Sequence, residues 1–171
     1  MNLDDLPSPE VMWAGKFVRA LKRGKWEYAG RVGGIGAVVI LAEHDGKVIL
    51  VSQPRVPLDC HCIELPAGLV GDQDPDATVE STAIKELEEE TGFTCERVER
   101  LGEYYASPGM VAESFTLVRA HGVRQIGDGG GDENEDIQVH LVPRSDIPNF
   151  LEQKRAEGFG IDVKLLLLLN F

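Results

Sequence analysis

The sequence predicts an α/β fold of the α+β kind, in which a mixed β-sheet lies between α-helices and antiparallel strands precede it. Strand patterns dominate the first half of the chain, and helical patterns are interspersed among them without regular alternation. The tripeptide His44-Asp45-Gly46 separates two apolar runs, which is a strong hairpin signal. A helix with clear end signals follows. This order favours a sheet sandwiched by a few helices over a doubly wound fold.

Several segments are predicted to be strands because apolar and β-branched residues alternate between turn residues. The first two flank an Arg23-Gly24 turn, and the next two flank the hairpin signal. The predicted strands are Lys16 to Leu21, Trp26 to Arg31, Ala37 to Glu43, Lys47 to Gln53, Cys62 to Leu65, Arg97 to Tyr105, Ser114 to Ala120 and Ile137 to Val142.

Three segments are predicted to be helical. The first, Thr78 to Thr91, begins at a good N-cap residue and is followed by Gly92 as a C-terminal stop. The second runs from Asp146 or Ile147 to Glu157, with a proline near its first turn, and the third from Asp162 to Asn170. We divide the chain into an N-terminal strand region, residues 1–32, and a main domain, residues 33–171.

The charge balance is strongly acidic, with 29 Asp and Glu against 17 Lys and Arg. Nucleic-acid binding is disfavoured, because it needs a basic surface that displaces counterions. An acidic enzyme can still bind phosphate if a divalent cation lies between the two, which requires clustered carboxylates. The first residues lack a signal-peptide pattern, and the longest apolar run, Leu165 to Leu169, is too short to span a membrane. Three cysteines without framework spacing favour a reducing, cytoplasmic location.

The segment Lys85 to Phe93 concentrates glutamates on one predicted helix. Because residues three and four apart share a helical face, Glu86, Glu89 and Glu90 are expected to converge while Glu88 points away. At about 5 Å and an effective dielectric of about 20, each pair repels by roughly 3 kcal/mol. The face is either solvated, which weakens the repulsion, or enclosed around a divalent metal. Hard oxygen ligands suit Mg²⁺, with Mn²⁺ as the alternative.

The glutamate segment resembles the core of the Nudix box, whose pattern is G-x5-E-x7-R-E-U-x-E-E-x-G-U with U a bulky apolar residue. Upstream, the stretch from Glu64 to Gly68 is similar to the strand-and-loop lead-in of many Nudix hydrolases. The resemblance implies the Nudix fold, a mixed sheet in an α/β/α arrangement, and a metal-dependent pyrophosphohydrolase. The matching residues are Glu86, Leu87, Glu89, Glu90, Gly92 and Phe93.

Three positions depart from the Nudix pattern. Lys85 replaces the arginine, which keeps the positive charge but loses the bidentate fork. Ala77 stands where the pattern has glutamate, and Asp76 is adjacent as a partial substitute. Gly68 lies three residues too far upstream, so either the following loop is an insertion or Gly71 is the box glycine. None of these departures touches the glutamates expected to face the metal.

Other positions resemble the ADP-ribose pyrophosphatase branch of that family. A proline at the position of Pro108 marks the branch, although Ser-Pro-Gly is also an ordinary turn. An acidic loop before the last strand is similar to one in bacterial members. By that likeness Glu133 is the general base and Glu135 an additional metal ligand, on a tether of glycines from Gly127 to Gly131 that we expect to be mobile.

The resemblance also implies a binding end for the base and phosphates. Phe17 and Trp26 match aromatic residues that clamp adenine, and Glu27 would accept from its amino group. Arginine suits phosphate by its charge and planar donors, and Arg31 and Arg55 match positions that contact substrate. Glu64 is also assigned to substrate binding, as is Pro108. In this branch the N-terminal strands cross to a second subunit, so a homodimer is implied, with residues 1–32 serving dimerisation and base binding.

The resemblance therefore implies Mg²⁺-dependent hydrolysis of a nucleoside diphosphate sugar, with ADP-ribose split into AMP and ribose 5-phosphate. The metal would be held by Glu86, Glu90 and Glu135 and by the backbone carbonyl of Ala67. Glu89 would assist catalysis, beside the base Glu133. Two alternatives remain: hydrolysis of another nucleotide sugar such as GDP-mannose, and a non-catalytic sensor of nucleotides.

Overall fold

A computed structural model describes residues 2–34, 36–72, 74–131 and 135–169 of the chain. The α-helices in these ranges are α1 (Val79–Thr91) and α2 (Ile147–Ala156). Short 3-10 helices cover Leu3–Asp5, Val32–Gly34, Val56–Leu58, Arg144–Asp146 and Val163–Leu169. The strands are β1 (Glu10–Ala14), β2 (Val18–Arg23), β3 (Trp26–Arg31), β4 (Gly36–Leu41), β5 (Glu43–His44), β6 (Lys47–Arg55), β7 (Cys60–Glu64), β8 (Ala67–Val70), β9 (Phe93–Thr94), β10 (Arg97–Tyr105), β11 (Ser114–His121), β12 (Arg124–Gln125), β13 (Gln138–Pro143) and β14 (Gly160–Ile161).

The strands form mixed sheets. One sheet has the order β10-β11-β4-β8, in which β11 and β4 are parallel and the other pairs are antiparallel. A second has the order β13-β6-β7-β14, with β5 also paired to β6 and with β7 parallel to β14. The strands β1, β2 and β3 form an antiparallel N-terminal sheet, and β9 pairs with β12. The mixed sheet and the N-terminal antiparallel strands confirm the predicted fold class.

Strand β4 shows how the layers are built, because it is buried on both faces. Val39 and Leu41 pack into a cluster that includes residues of α2 and of the C-terminal 3-10 helix. Val38 and Ile40 point the other way, into a cluster with α1, where Leu87 is fully buried. Side chains alternate along a strand, so one strand supplies both cores. Helical segments therefore cover the sheet from two sides.

Helix α1 has the boundaries that the sequence predicts. Thr78 and Ser81 form a capping box, in which each side chain accepts from the other residue's backbone N–H. At the other end Gly92 adopts a left-handed conformation, φ 72°, and donates its N–H to Glu88 O at 3.0 Å. In the described parts of the chain, neither helix combines the length and the apolar character needed to cross a membrane.

Several local features differ from the sequence prediction, including the short strands β9, β12 and β14, which it does not contain. Strands β1 and β8 were not predicted, since the Ala-Gly-Leu-Val of β8 lacks alternation and is stabilised by pairing with distant β4. The predicted last helix is a 3-10 helix over Val163–Leu169. The Asp162 carboxylate accepts from Lys164 N at 2.8 Å, and Leu165 N donates to Asp162 O at 3.1 Å. This i to i+3 bond begins the helix with the tighter winding.

Strand β3 of the N-terminal sheet is hydrogen-bonded to the loop between β10 and β11. Ala29 N donates to Met110 O, and Ala112 N donates to Ala29 O, both at 2.9 Å. Every residue of β1 is exposed, and apolar side chains such as Trp13 lie on the surface. The sheet is therefore attached at its edge strand β3 and leaves apolar surface uncovered within a single chain.

Candidate active site

A cleft of about 820 Å³ brings together residues from helix α1, several strands and two loops. Ala37 and Val39 of β4, Phe115 of β11 and the start of β8 supply its apolar part. The charged side chains that line it are Arg31, Arg55, Glu64, Asp72, Asp74, Lys85, Glu86, Glu90, Glu113, Glu135 and Lys164. Carboxylates outnumber cations in this described lining, so the cleft suits an anionic substrate only if cations accompany it.

Glu90 is the most deeply placed carboxylate of the α1 face. Only 4% of the residue is exposed, and its Oε2 accepts one hydrogen bond from Ala67 N at 3.1 Å. Burial raises the pKa of Glu90 to about 8, and the negative charges of Glu86, Glu135 and Glu64 act in the same direction, while the Ala67 bond opposes them. A cation beside Glu90 would favour its ionised form.

Glu86 lies one turn earlier on α1 and packs directly over Gly68. A Cβ atom at position 68 would overlap the Cγ, Cδ and Oε1 atoms of Glu86. Burial raises the pKa of Glu86, and the charges of Glu89 and Glu135 add to this, although Lys85 lowers it. The missing side chain of Gly68 thus leaves the space that the Glu86 carboxylate occupies.

Glu89 is placed differently from its two neighbours. It is exposed, and its Oε2 accepts from Lys85 Nζ at 2.8 Å at the i, i+4 spacing. This bond raises the pKa of Lys85. Glu89 is not among the described residues that line the cleft, whereas Glu86 and Glu90 are. The expected convergence of three glutamates is therefore reduced to two at the cleft, with the third paired at its rim.

The predicted metal ligands share the cleft but do not form a closed coordination shell. Glu86, Glu90 and Glu135 all line it. Within the described ranges, no three His, Cys, Asp or Glu side chains are grouped closely enough to hold a metal ion. The described role of Ala67 is to donate its backbone N–H to Glu90, and the use of its carbonyl as a ligand stays a prediction. The oxygen donors themselves fit a hard divalent cation.

Arg55 and Glu64, both predicted to contact substrate, form a bidentate pair in the cleft. Arg55 Nε and Nη2 donate to the two carboxylate oxygens of Glu64 at 2.6 and 2.7 Å. Glu64 is 5% exposed, and its hydrogen bond is the main cause that raises the pKa of Arg55. Two parallel bonds fix the guanidinium plane. The pair thus holds a partly exposed Arg55 in place beside the α1 glutamates.

Arg31 reaches the same cleft from β3, and its Nε donates to the carboxylate of Glu113. Glu113 and Phe115, near the start of β11, were not identified from the sequence. No motif signals them, because the parallel pairing of β11 with β4 brings them to the cleft. A single acid before an apolar strand, as Glu113 is, is an ordinary sequence pattern. Its position at the cleft follows from the sheet topology.

The loop that carries the departures from the box pattern also lines the cleft. Ala77, Asp72 and Asp74 contribute to the lining, whereas Asp76 is exposed and is not among the described lining residues. Asp76 N donates to the Asp74 carboxylate at 3.0 Å. An acid therefore remains on this side of the cleft, although its position in the sequence differs from that of the box glutamate.

The described part of the predicted glycine tether is hydrogen-bonded to helix α1, and its mobility stays a prediction. Gly130 N donates to Glu90 O at 2.9 Å and Gly131 N to Glu89 O at 3.0 Å. Gly129, Gly130 and Gly131 all have positive φ, and a Cβ at position 129 would overlap the Thr91 backbone. The segment is docked on the C-terminal end of α1, where it satisfies carbonyls that a helix leaves without partners. We call residues 127–131 the glycine clamp.

The acidic loop that follows the glycine clamp is only partly described. Glu135 lines the cleft, and its carboxylate lies against Gly131. The charge of Glu135 helps raise the pKa of both Glu86 and Glu90, which places it near them. Glu133, predicted to be the general base, lies outside the described residues.

The predicted base-binding residues lie away from the cleft within one chain. Phe17 is 62% exposed and has Lys16 Nζ 4.8 Å above its ring centre, and Trp26 is 45% exposed. Neither they nor Glu27 belong to the described lining. Pro108 lies in an exposed turn closed by a bond from Met110 N to Ser107 O. The structure thus brings together the phosphate and glutamate end of the predicted site but not the aromatic end.

Comparisons with known proteins identify relatives over most of the chain. The family model described as NUDIX domain matches residues 32–160. A methanol dehydrogenase activator from Bacillus methanolicus is 35% identical over 123 residues, covering 70% of this chain and 64% of that protein. An ADP-ribose pyrophosphatase from Bacillus subtilis is 36% identical over 124 residues, covering 71% and 65%. The chain therefore spans slightly less than two thirds of the length of these two relatives.

Two further comparisons cover a larger share of the compared protein's length. A GDP-mannose pyrophosphatase from Cronobacter sakazakii is 37% identical over 146 residues, covering 80% of this chain and 72% of that protein. The crystal structure of an ADP compounds hydrolase superposes with a TM-score of 0.68 and 22% identity, covering 96% of this chain and 90% of the other. At that identity the structural likeness establishes the fold.

Proposed function

The chain belongs to the Nudix family, and from that premise we propose that it hydrolyses the pyrophosphate bond of a nucleoside diphosphate sugar with a divalent metal ion. ADP-ribose is the substrate we favour. The relatives named ADP-ribose pyrophosphatase and GDP-mannose pyrophosphatase support the substrate class. The matched region covers the cleft residues from Ala37 to Glu135.

One observation carries the proposal: two carboxylates on successive turns of α1 share a cleft with the fixed guanidinium of Arg55. Glu90 is buried and tied to β8 through Ala67, and Glu86 fits over Gly68. A solvated acidic face, the alternative interpretation of the helix, does not account for a glutamate that is 4% exposed. These acids face a space large enough for a nucleotide sugar, which binding sites of several hundred Å³ accommodate.

We propose that Glu86, Glu90 and Glu135 hold Mg²⁺, with Mn²⁺ as the alternative. The donors are hard oxygens, and the same acids are otherwise surrounded by negative charge. When bound, the metal supplies charge that screens the diphosphate and promotes ionisation of the attacking water. The carboxylates of the chain fix its position, and Arg55 binds and orients phosphate oxygens.

In the proposed reaction Glu133 removes a proton from a water molecule while the water oxygen forms a bond to one phosphorus atom. The bond between that phosphorus and the bridging oxygen breaks, and the bridging oxygen leaves with the other phosphate. ADP-ribose and water thereby give AMP and ribose 5-phosphate. Glu89 is the alternative base, held at the cleft rim by Lys85.

We propose that a homodimer completes the site. Phe17 and Trp26 are exposed and lie outside the cleft of their own chain, so adenine stacking on them needs the cleft of a second copy. The exposed strand β1 and its apolar side chains supply surface for that contact. In this proposal residues 1–32 serve as the dimerisation and base-binding unit, and the partners are substrate and a second copy, without nucleic acid or membrane. The three free cysteines support a reducing, cytoplasmic setting.

The proposal is tested by comparing Glu90→Gln with Glu88→Gln. Glutamine keeps the shape at position 90 and an oxygen for the Ala67 bond but removes the charge that holds the metal. We expect Glu90→Gln to lose measurable hydrolysis of ADP-ribose in Mg²⁺ while its melting temperature is retained. Glu88 lies on the same turn outside the described cleft lining, so Glu88→Gln should keep wild-type turnover.

Products are identified by anion-exchange chromatography, with AMP and ribose 5-phosphate expected in equal amounts. Full turnover by Glu90→Gln would contradict the ligand assignment, and turnover of wild type in EDTA would contradict metal dependence. A panel of nucleoside diphosphate sugars discriminates the second candidate, GDP-mannose, which the 37% identical relative favours. Tight binding of ADP-ribose without any product would instead indicate a nucleotide sensor.

A further inference from the structure

Lys164 enters the cleft from outside the region that the family model matches. The match ends at residue 160, whereas Lys164 belongs to the 3-10 helix Val163–Leu169. It lines the cleft together with Phe115, and its Nζ lies 5.8 Å from the centre of that ring. The C-terminal segment therefore contributes a cation to a space whose other described charges come from residues 31–135.

The backbone on both sides of Lys164 is fixed. Asp162 N donates to Ile63 O at 3.0 Å, which ties the segment to β7 next to Glu64. Leu165, 2% exposed, is buried in the core that underlies the sheet. Only 21% of the Lys164 side chain is exposed, so its stem is packed. A lysine held in this way loses less conformational freedom on contacting a ligand than a surface lysine does.

The charge arrangement at Lys164 differs from that of the two arginines. Arg31 and Arg55 each pair with a glutamate that also lines the cleft, so each pair brings both signs to the cleft surface. Lys164 pairs with Asp162, which is not among the described lining residues. The ion pair thus presents its positive member to the cleft, where an anion can accept from the ammonium group.

We propose that Lys164 binds the diphosphate of the substrate directly, as a phosphate contact supplied by the C-terminal segment. This rests on the proposed function for the identity of the ligand. The α1 carboxylates bind the diphosphate only through a metal, whereas Lys164 contacts its oxygens without one. Lys164 therefore contributes to binding even when no metal is present, which separates its effect from that of the glutamates.

The test measures ADP-ribose binding by calorimetry in EDTA, where hydrolysis stops, and then KM and kcat in Mg²⁺. We expect Lys164→Met to weaken binding in EDTA about tenfold or more, by loss of a charged hydrogen bond. KM should rise by a similar factor with kcat changed less than about threefold, and Lys164→Arg should retain most of the affinity. If Lys164→Met melts early, the Arg and Gln variants give the same comparison.

Lys154 offers a matched control, because its side chain is 18% exposed, pairs with Glu157 at 2.8 Å and lies 4.7 Å from the Phe159 ring centre. It lies outside the described cleft lining. Lys154→Met should therefore bind ADP-ribose as wild type does. Equal weakening in both variants would overturn the proposal, since the effect would be structural.

The outcomes separate this proposal from the proposed function. Unchanged affinity in Lys164→Met, with normal hydrolysis by wild type, overturns the lysine contact alone. If Lys164→Met binds ADP-ribose more weakly but wild type never hydrolyses it, the lysine contact is upheld and the proposed hydrolase function is overturned. Inorganic pyrophosphate serves as a second probe, and wild type that binds neither probe in EDTA overturns the contact as well.

Discussion

The α1 face and the N-terminal sheet represent the two ends of the proposed site, and they differ in how complete a single chain makes them. On α1, Glu90 is buried, bonded to Ala67 and placed beside Glu86 in a shaped cleft. On the N-terminal sheet, Phe17 and Trp26 stand in solvent. If the proposed function holds, the difference teaches that one chain organises the phosphate chemistry, whereas base recognition needs a second surface.

The two ends should therefore respond differently to substitution. A change on the α1 side should reduce turnover by nearly the same factor at every protein concentration. A change on the sheet should act on substrate affinity and depend on assembly.

After Glu90→Gln, the largest effect is expected from the proposed base. Glu133→Gln should lower kcat by about two to four orders of magnitude, because the proton of the attacking water then has no acceptor. Magnesium affinity should change little. Asp136→Asn is the control, since Asp136 is an exposed acid of the same loop, 3.9 Å from His61. A loss below about tenfold would move the base to another acid, with Glu89 next in line.

An intermediate effect is expected from the lead-in glycine. Gly68→Ala places a Cβ where the Glu86 side chain lies, so the carboxylate must leave its present position in the cleft. Metal affinity or turnover should fall about 10- to 100-fold, as for other residues that position metal ligands. Both are measured by titrating Mg²⁺ against the initial rate.

Gly36→Ala is the matched control for the lead-in glycine, because nothing lies within 4 Å of a Cβ at that position. It should retain wild-type rates. Equal rates for Gly68→Ala and Gly36→Ala would show that the position of Glu86 does not limit the reaction. That result would contradict the proposal that one chain positions the glutamates of α1 for catalysis.

The smallest effect is expected at the sheet. Trp26→Ala should raise KM for ADP-ribose about tenfold through loss of base stacking, with kcat nearly unchanged. Trp26→Phe should retain most of the affinity because it keeps an aromatic face. The shift is measured over a range of protein concentrations, alongside the oligomeric state by light scattering. An unchanged KM would remove Trp26 from the site and with it the need for a second chain.

The sequence predicts what local signals encode. Such signals act over a few residues, as the N-cap Thr78, the stop at Gly92 and the turn at His44 to Gly46 do. The structure confirms the helix and the hairpin that these signals delimit. The glutamate spacing likewise identifies Glu86 and Glu90 as neighbours. Propensities and turn preferences of this kind are visible without knowing the rest of the fold.

What the sequence did not predict depends on distant contacts. Glu113 and Lys164 reach the cleft only because β11 pairs with β4 and the C-terminal segment returns to β7. Glu89 pairs with Lys85 instead of lining the cleft, and helical spacing alone does not reveal this. Non-local pairing thus sets the composition of the cleft, while local pattern sets its central helix.

The glycine clamp has a consequence for any exchange of parts between relatives. Two of its N–H groups donate to the last carbonyls of α1, and its backbone has positive φ at three glycines. The segment that leads to the acidic loop is therefore hydrogen-bonded to the C-terminal end of α1. A chimera that takes its acidic loop from a relative should therefore include residues 127–131 of that relative, because a junction inside this segment is expected to remove hydrogen bonds from the last carbonyls of α1.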